Sequence, residues 1–220
     1  MAREYLTLAH ESASEALRAM NNIRAERRAD MRGHPTDQDQ DLLRAMLVFA
    51  CAGVDAAIKA LIRDALPYLA DANSLVQEKF DGFLTGYLSD GSVGVSPKAI
   101  AKILGSKGTP RAGAIEAYID ELTGGSLQSA EELSKVCGCL GIDDEELRQD
   151  VKATREAWVA RNYIIHEMDF SPRVKRKYRR RQRKISDMVK LADGVLQVAV
   201  RIVDAVTEDI RPSEMDEAEE

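Results

Sequence analysis

Apolar residues recur along this chain at steps of three and four rather than in alternation, so the pattern predicts helices almost throughout. Over residues 2–31, Tyr5, Leu8, Leu17, Met20 and Ile23 fall near a helical period. RGHPT then makes a turn, and Thr36 or Asp37 is placed to cap the next helix. That helix, DLLRAMLVFACAGVDAAIKALIRDALPYLA, is apolar almost all round its middle. A helix with no polar side is buried on every side, in a core or against a second subunit. Asp55 and Lys59 break the run one turn apart and are spaced for an i,i+4 ion pair.

Between about 73 and 140 the pattern resolves into shorter helical pieces. These are NSLVQEKFDGFLTGYL; SPKAIAKIL, with Ser96 as cap and Pro97 at the first helical position; RAGAIEAYIDEL; and SAEELSKVCGCL, with a capping-box-like Ser129 and Glu132. The intervening GSKG lacks the spacing of a phosphate-binding loop and follows no strand. From Asp143, DDEELRQDVKATREAWVARNYIIHEMDF reads as one helix ending near Phe170–Pro172, with Leu147, Val151, Trp158 and Ile165 on one face. ISDMVKLADGVLQVAVRIVDAV returns to the helical period and closes the chain's apolar part. The expectation is an all-α fold: one helical domain over 1–212, a helical insertion at about 73–140, and a disordered acidic tail, SEMDEAEE, at 213–220.

Composition agrees, since aromatics are 5% and straight-chain residues, which lose little rotamer freedom in a helix, are plentiful. Three cysteines argue against a disulfide framework and for a reducing, cytoplasmic setting. Cys137 and Cys139 are too close for ordinary zinc spacing and Cys51 lies in an apolar run, so neither metal nor cofactor is expected. The N-terminal segment carries acids and polar residues, unlike a secretory signal. No uninterrupted apolar stretch reaches the roughly 18–20 residues of a membrane span.

Charge changes the picture more. The net charge is −6, yet RVKRKYRRRQRK, from Arg173 to Lys184, holds nine basic residues and no acid. Arg173, Lys175, Arg176, Lys177, Arg179, Arg180, Arg181, Arg183 and Lys184 form a local basic feature in an otherwise acidic chain. Such density suits a polyanion, bound by phosphate neutralisation and counterion release, with Tyr178 placed to stack on a base. Phosphate contacts position a backbone without reading sequence. The alternative is a solvated face that pairs with the chain's own acids.

Just before this block stands Arg161-Asn162-Tyr163-Ile164-Ile165-His166. Its Arg-(four to six residues)-His spacing, with Asn directly after Arg, resembles the motif of the HEPN superfamily. The segment Leu47 to Leu66, with Asp55 inside an apolar helix, resembles the second helix of the RiboL-PSP-HEPN branch, which usually carries Glu at that acidic position. The resemblance covers about 40–200, loosely in the middle. It implies a HEPN-like bundle, a homodimer whose two motifs face a shared cleft, and RNA cleavage without metal. In that reaction the ribose 2′-hydroxyl attacks the adjacent phosphate and leaves a 2′,3′-cyclic phosphate and a 5′-hydroxyl.

The residue types suit this chemistry. A histidine with a reference pKa of about 6.5 exchanges protons near neutrality, and His166 is the candidate acid–base group. Arg161 stays charged and pairs with phosphate oxygens, while Asn162, i to i+4 from His166, orients imidazole or substrate. On an ideal helix Arg161 points about 140° away from His166, so its arm must curl back or a second subunit must complete the site. Asp55 is the candidate partner that holds Arg161, and Tyr163 either contacts substrate or packs. Trp158 reads as core. The leading expectation is an endoribonuclease acting as a toxin or antiviral effector on RNA, with a neutralising or activating protein partner and no membrane. The alternative is a non-catalytic helical module that binds RNA or protein.

Overall fold

The computed structural model describes residues 1–27, 36–89, 96–105, 108–171 and 179–216, with side chains to residue 210. The fold is all-α. Among the described residues there are nine helices: α1 (Ala2–Arg27), α2 (Asp37–Ala72), α3 (Ser74–Leu88), α4 (Pro97–Leu104), α5 (Pro110–Thr123), α6 (Ala130–Cys139), α7 (Glu145–Ala153), α8 (Arg155–Glu167) and α9 (Ile185–Asp216).

The second helix is the axis of the molecule. Its 36 residues start at a capping box in which the Thr36 hydroxyl accepts from the Asp39 amide and the Asp39 carboxylate accepts from the Thr36 amide. Leu43, Leu47, Val54, Ile58, Ile62 and Leu66 are wholly buried along it. Helices α1, α9, α5, α3 and α8 cover its faces. By length and composition alone α2 is long and apolar enough to cross a membrane, and 56% of its apolar window is buried inside the protein. Pro67 sits within it and donates no hydrogen bond, yet the helix continues to Ala72.

The seam between α1 and α2 differs from the expected one. Tyr5 and Leu8 are exposed, and the buried face of α1 is instead Ala2, Leu6, Ala9, Ala13, Ala16 and Met20. Small residues at three- and four-residue steps let the two axes approach more closely than large ones would. The approach is tightest at Gly53, where a Cβ would lie 1.9 Å from the Ala9 Cβ and 3.2 Å from its Cα. Neither atom can swing aside, because both belong to a helix backbone or its first carbon. Gly53→Leu is therefore expected to lower the unfolding free energy by about 1–3 kcal/mol, the usual cost of overpacking, read as a reduced urea midpoint. An unchanged midpoint would show that α1 is not held at this distance.

Helices α3 to α6, where an insertion was expected, contribute Val76, Phe80, Ile103, Tyr118, Leu122 and Leu133 to the same apolar cluster as α1, α2 and α9. Phe80 and Phe83 lie 5.8 and 4.7 Å from the Tyr118 ring. The caps follow the sequence: Ser96 accepts from the Ala99 amide and Ser129 from the Glu132 amide. In the second case the returning Glu132 carboxylate meets the Gln128 amide rather than that of the cap residue.

Two boundaries depart from expectation. The helix predicted from Asp143 onward is two helices, broken at Thr154. The Thr154 hydroxyl donates to the Val151 carbonyl at 2.6 Å and accepts from the Trp158 indole at 3.0 Å, so this side chain competes with the backbone ladder at the joint. Trp158 is 2% exposed, in the core as expected. At the other end α9 runs past Val206 to Asp216, into the acidic tail; residues 217–220 lie outside the described residues.

Candidate nucleic-acid interface and catalytic site

Arg161, Asn162, Tyr163 and His166 lie on the last two turns of α8. Asn162 and His166, one turn apart, are both exposed on its outer side. Among the described residues the His166 imidazole makes no hydrogen bond or ion pair, and the neighbouring Asp169 carboxylate is engaged elsewhere.

Arg161 faces the other way. It is half-buried, its Nη1 donates to the Asn162 Oδ1 at 3.0 Å, and its buried Nε has no hydrogen-bond acceptor among the described residues. It lies near enough to Cys51 on α2 to offset part of the burial that pushes that thiol up to about 12. One copy of the chain thus brings Arg161 to Asn162 without bringing it to His166. Among the described residues, grooves between α1 and α2, between α1 and α9, and between α7–α8 and α9 are lined by other residues.

Asp55 does not hold Arg161. One carboxylate oxygen takes the Lys59 ammonium at 3.0 Å, the i,i+4 pair read from the sequence, and the other accepts from the Leu127 amide at 2.7 Å. Its position on the α2 face toward the loop before α6 commits it to fastening that loop. Tyr163 has the Arg181 guanidinium over its ring at 3.8 Å from the centroid, so that face is covered by a cation from the basic segment.

Of that segment, Arg179, Arg180, Arg181, Arg183 and Lys184 are described; Arg173, Lys175, Arg176, Lys177 and Tyr178 lie outside the described residues. Residues 179–181 of it pair with residues 169–171, which precede the segment. Phe170 and Arg180 form an antiparallel bridge, the Ser171 amide donates to the Arg179 carbonyl and the Arg181 amide to the Asp169 carbonyl, both at 2.8 Å. This stem begins immediately after α8. Met168 and Asp169 have φ of 51° and 58°, and the Asp169 amide closes the helix on the Tyr163 carbonyl at 2.8 Å. Two successive left-handed residues without a glycine cost on the order of 1–2 kcal/mol each, so something must hold them.

The holding group is Asp169, which the sequence reading did not single out. Its side chain is 0% exposed. Arg44 Nε donates to Oδ2 at 2.9 Å, Arg183 donates to Oδ1 at 2.6 Å and to Oδ2 at 3.1 Å, and Arg181 stands 3.7 Å from Oδ1. Burial alone would raise this carboxyl, but Arg183 and Arg44 outweigh it and hold it below the usual carboxylate range. Arg44, 4% exposed, also bonds the Arg181 carbonyl at 2.8 Å and Asp41 at 3.1 Å. One turn earlier, the buried Gln40 amide accepts from the Arg183 amide at 2.7 Å and donates to its carbonyl at 2.9 Å. A signal existed in the sequence: Gln40 and Arg44 lie on the same three-and-four track as Leu47, Cys51 and Val54, and a charge on a buried track needs a partner.

Cys51, Cys137 and Cys139 are free and buried, and no three His, Cys, Asp or Glu side chains converge among the described residues. No family model, curated protein or solved structure matches the chain.

Proposed function

We propose that this protein is an endoribonuclease of HEPN type that cleaves RNA by attack of a ribose 2′-hydroxyl on the adjacent phosphate, without a metal ion. The observation that carries the reading is His166, exposed and unengaged on the last turn of α8, next to a basic segment whose stem is anchored at the same helix end. A free imidazole is available to take the 2′-hydroxyl proton, and as imidazolium to return one to the leaving 5′-oxygen. The exposed Arg179 and Lys184 and the rest of the block would neutralise phosphates and bring the strand to it. Because Arg161 is half-buried and bonded to Asn162 rather than to His166, the reading places the working site between two copies, each offering Asn162 and His166 to a shared cleft. A toxin or defence role in the cytoplasm, restrained by a partner protein, belongs to the same reading.

Its test is the end chemistry of RNA cut by the purified protein in EDTA. The expected products carry 2′,3′-cyclic phosphate and 5′-hydroxyl ends, and a 2′-deoxy sugar at the cut position should block cleavage there. Fragments with 3′-hydroxyl ends, or cutting only with added magnesium, would defeat the proposal.

One observation favours a second reading. Arg161 and His166 do not meet within one copy, as expected for a module that binds RNA without cutting it. That reading expects RNA binding with no cleavage at any protein concentration.

A further inference from the structure

Nine cations in one block suggest that all nine meet the polyanion, but the structure divides those it describes. Arg179 and Lys184 are exposed. Arg180 turns back to Asp41 at 2.7 Å and to the Met168 carbonyl, while Arg181 and Arg183 converge on the buried Asp169.

We infer that Asp169 is a positioning residue: through Arg44 and Arg183 it fixes the stem of the basic segment beside His166, and Arg181 and Arg183 serve that register instead of contacting phosphates. This rests on the nuclease reading above. The ties act on both main chain and side chain. The Asp169 carbonyl takes the Arg181 amide, Arg44 takes the Arg181 carbonyl, and Gln40 takes both the amide and the carbonyl of Arg183. Gln40 and Arg44 are one turn apart on α2, and residues 181 and 183 are two apart in an extended segment, so the two rungs match in spacing. The Arg181 guanidinium over Tyr163 adds a contact from α8 itself. A chain so tied presents its exposed cations at a fixed place relative to the end of α8.

The sign of one effect separates positioning from simple electrostatics. Asp169→Asn removes a negative charge from a region that binds a polyanion, so a charge-only account predicts tighter RNA binding. Positioning predicts the reverse, because Asp169 uses both oxygens as acceptors, whereas an amide keeps one and turns an NH2 donor toward a guanidinium.

The measurement is fluorescence anisotropy of a labelled, fully 2′-O-methylated single-stranded oligoribonucleotide, which the protein can bind but cannot cleave, far below the melting temperature of each variant. For Asp169→Asn, Kd is expected to rise about tenfold, as misplacement of a binding element does, and on cleavable RNA the loss should fall on KM with kcat within about threefold. Arg183→Lys keeps its charge but not the two-pronged bond, and should weaken binding as well. Gln40→Met changes no charge and carries the same test if Asp169→Asn does not fold. By contrast, Arg179→Ala should lower the slope of log affinity against log salt by about 0.7, one phosphate contact on a single strand. Equal or tighter binding by folded Asp169→Asn, or by Gln40→Met in its place, overturns the inference alone. Failure of the wild-type protein to bind the oligonucleotide overturns the RNA reading and this inference together.

Discussion

Replacing His166 by alanine is expected to reduce RNA cleavage by roughly 10²–10⁴-fold, the range over which a positioned acid–base group contributes. The fold should not notice. His166 is exposed and makes no hydrogen bond or ion pair among the described residues, and surface changes of that kind stay within about 0.5 kcal/mol. Activity and stability therefore separate cleanly at this position. Arg161 is a different experiment, since its Nε is buried and it stands near enough to Cys51 on α2 to act on that thiol. Arg161→Ala removes packing as well as charge. Arg161→Lys keeps the charge while losing the planar fork that meets two phosphate oxygens, so it is the better probe, with a loss of about 10²-fold or more expected. Single-turnover cleavage with each variant decides the matter, and a His166→Ala protein that keeps more than about a tenth of the wild-type rate would remove His166 from the chemistry.

Loss of Asp169 itself should be felt throughout the protein. Asp169→Ala is expected to lower the unfolding free energy by about 3–5 kcal/mol, the usual cost of removing one partner from a buried ion pair. It strands Arg44, 4% exposed, and releases the two left-handed residues that end α8. For a chain of this size that corresponds to a melting temperature lower by roughly 6–20 °C. Acid gives the same information without mutation. The carboxyl is held below its usual range in the folded protein, so its contribution is fully present above the unfolded value of about 3.9 and disappears as pH falls from there through the folded value. Calorimetry between pH 6 and pH 2.5 should show a steeper loss below about pH 4 for wild type than for Asp169→Asn. Parallel curves would mean that Asp169 titrates as it does in the unfolded chain.

The helical period made the long elements legible before any coordinates. Helix α2, the caps at Thr36, Ser96 and Ser129, the Asp55–Lys59 pair and the burial of Trp158 all follow from local spacing, where cause and effect lie within one or two turns. The seam of α1 departs from the apolar period for a physical reason: large residues define that period in the sequence, but close helix approach selects small ones, so Ala9 is inside and Leu8 outside. The break at Thr154 depends on a hydroxyl choosing a carbonyl over solvent, which periodicity does not encode. In the candidate site, the placement of Asn162 and His166 on one face followed from their spacing. The engagement of Asp55 with Leu127 and the Arg44–Asp169 pair did not, because each is settled by a residue far away in the chain.

That last separation sets a timetable for the newborn protein. The α1–α2 hairpin is made of neighbours in sequence and is free to form as soon as both helices have left the ribosome. Arg44 must then wait for Asp169, 125 residues later, and Gln40 for Arg183, 143 residues later. At 5–20 residues per second that delay is roughly 6–30 s. During it Arg44 and Gln40 stand without the partners they hold in the finished fold, and the basic segment, made after both of them and after Asp169, meets its anchor as it emerges. The described stem of the basic segment is thus fastened to a helix already made to receive it, so its register is set as its cations appear.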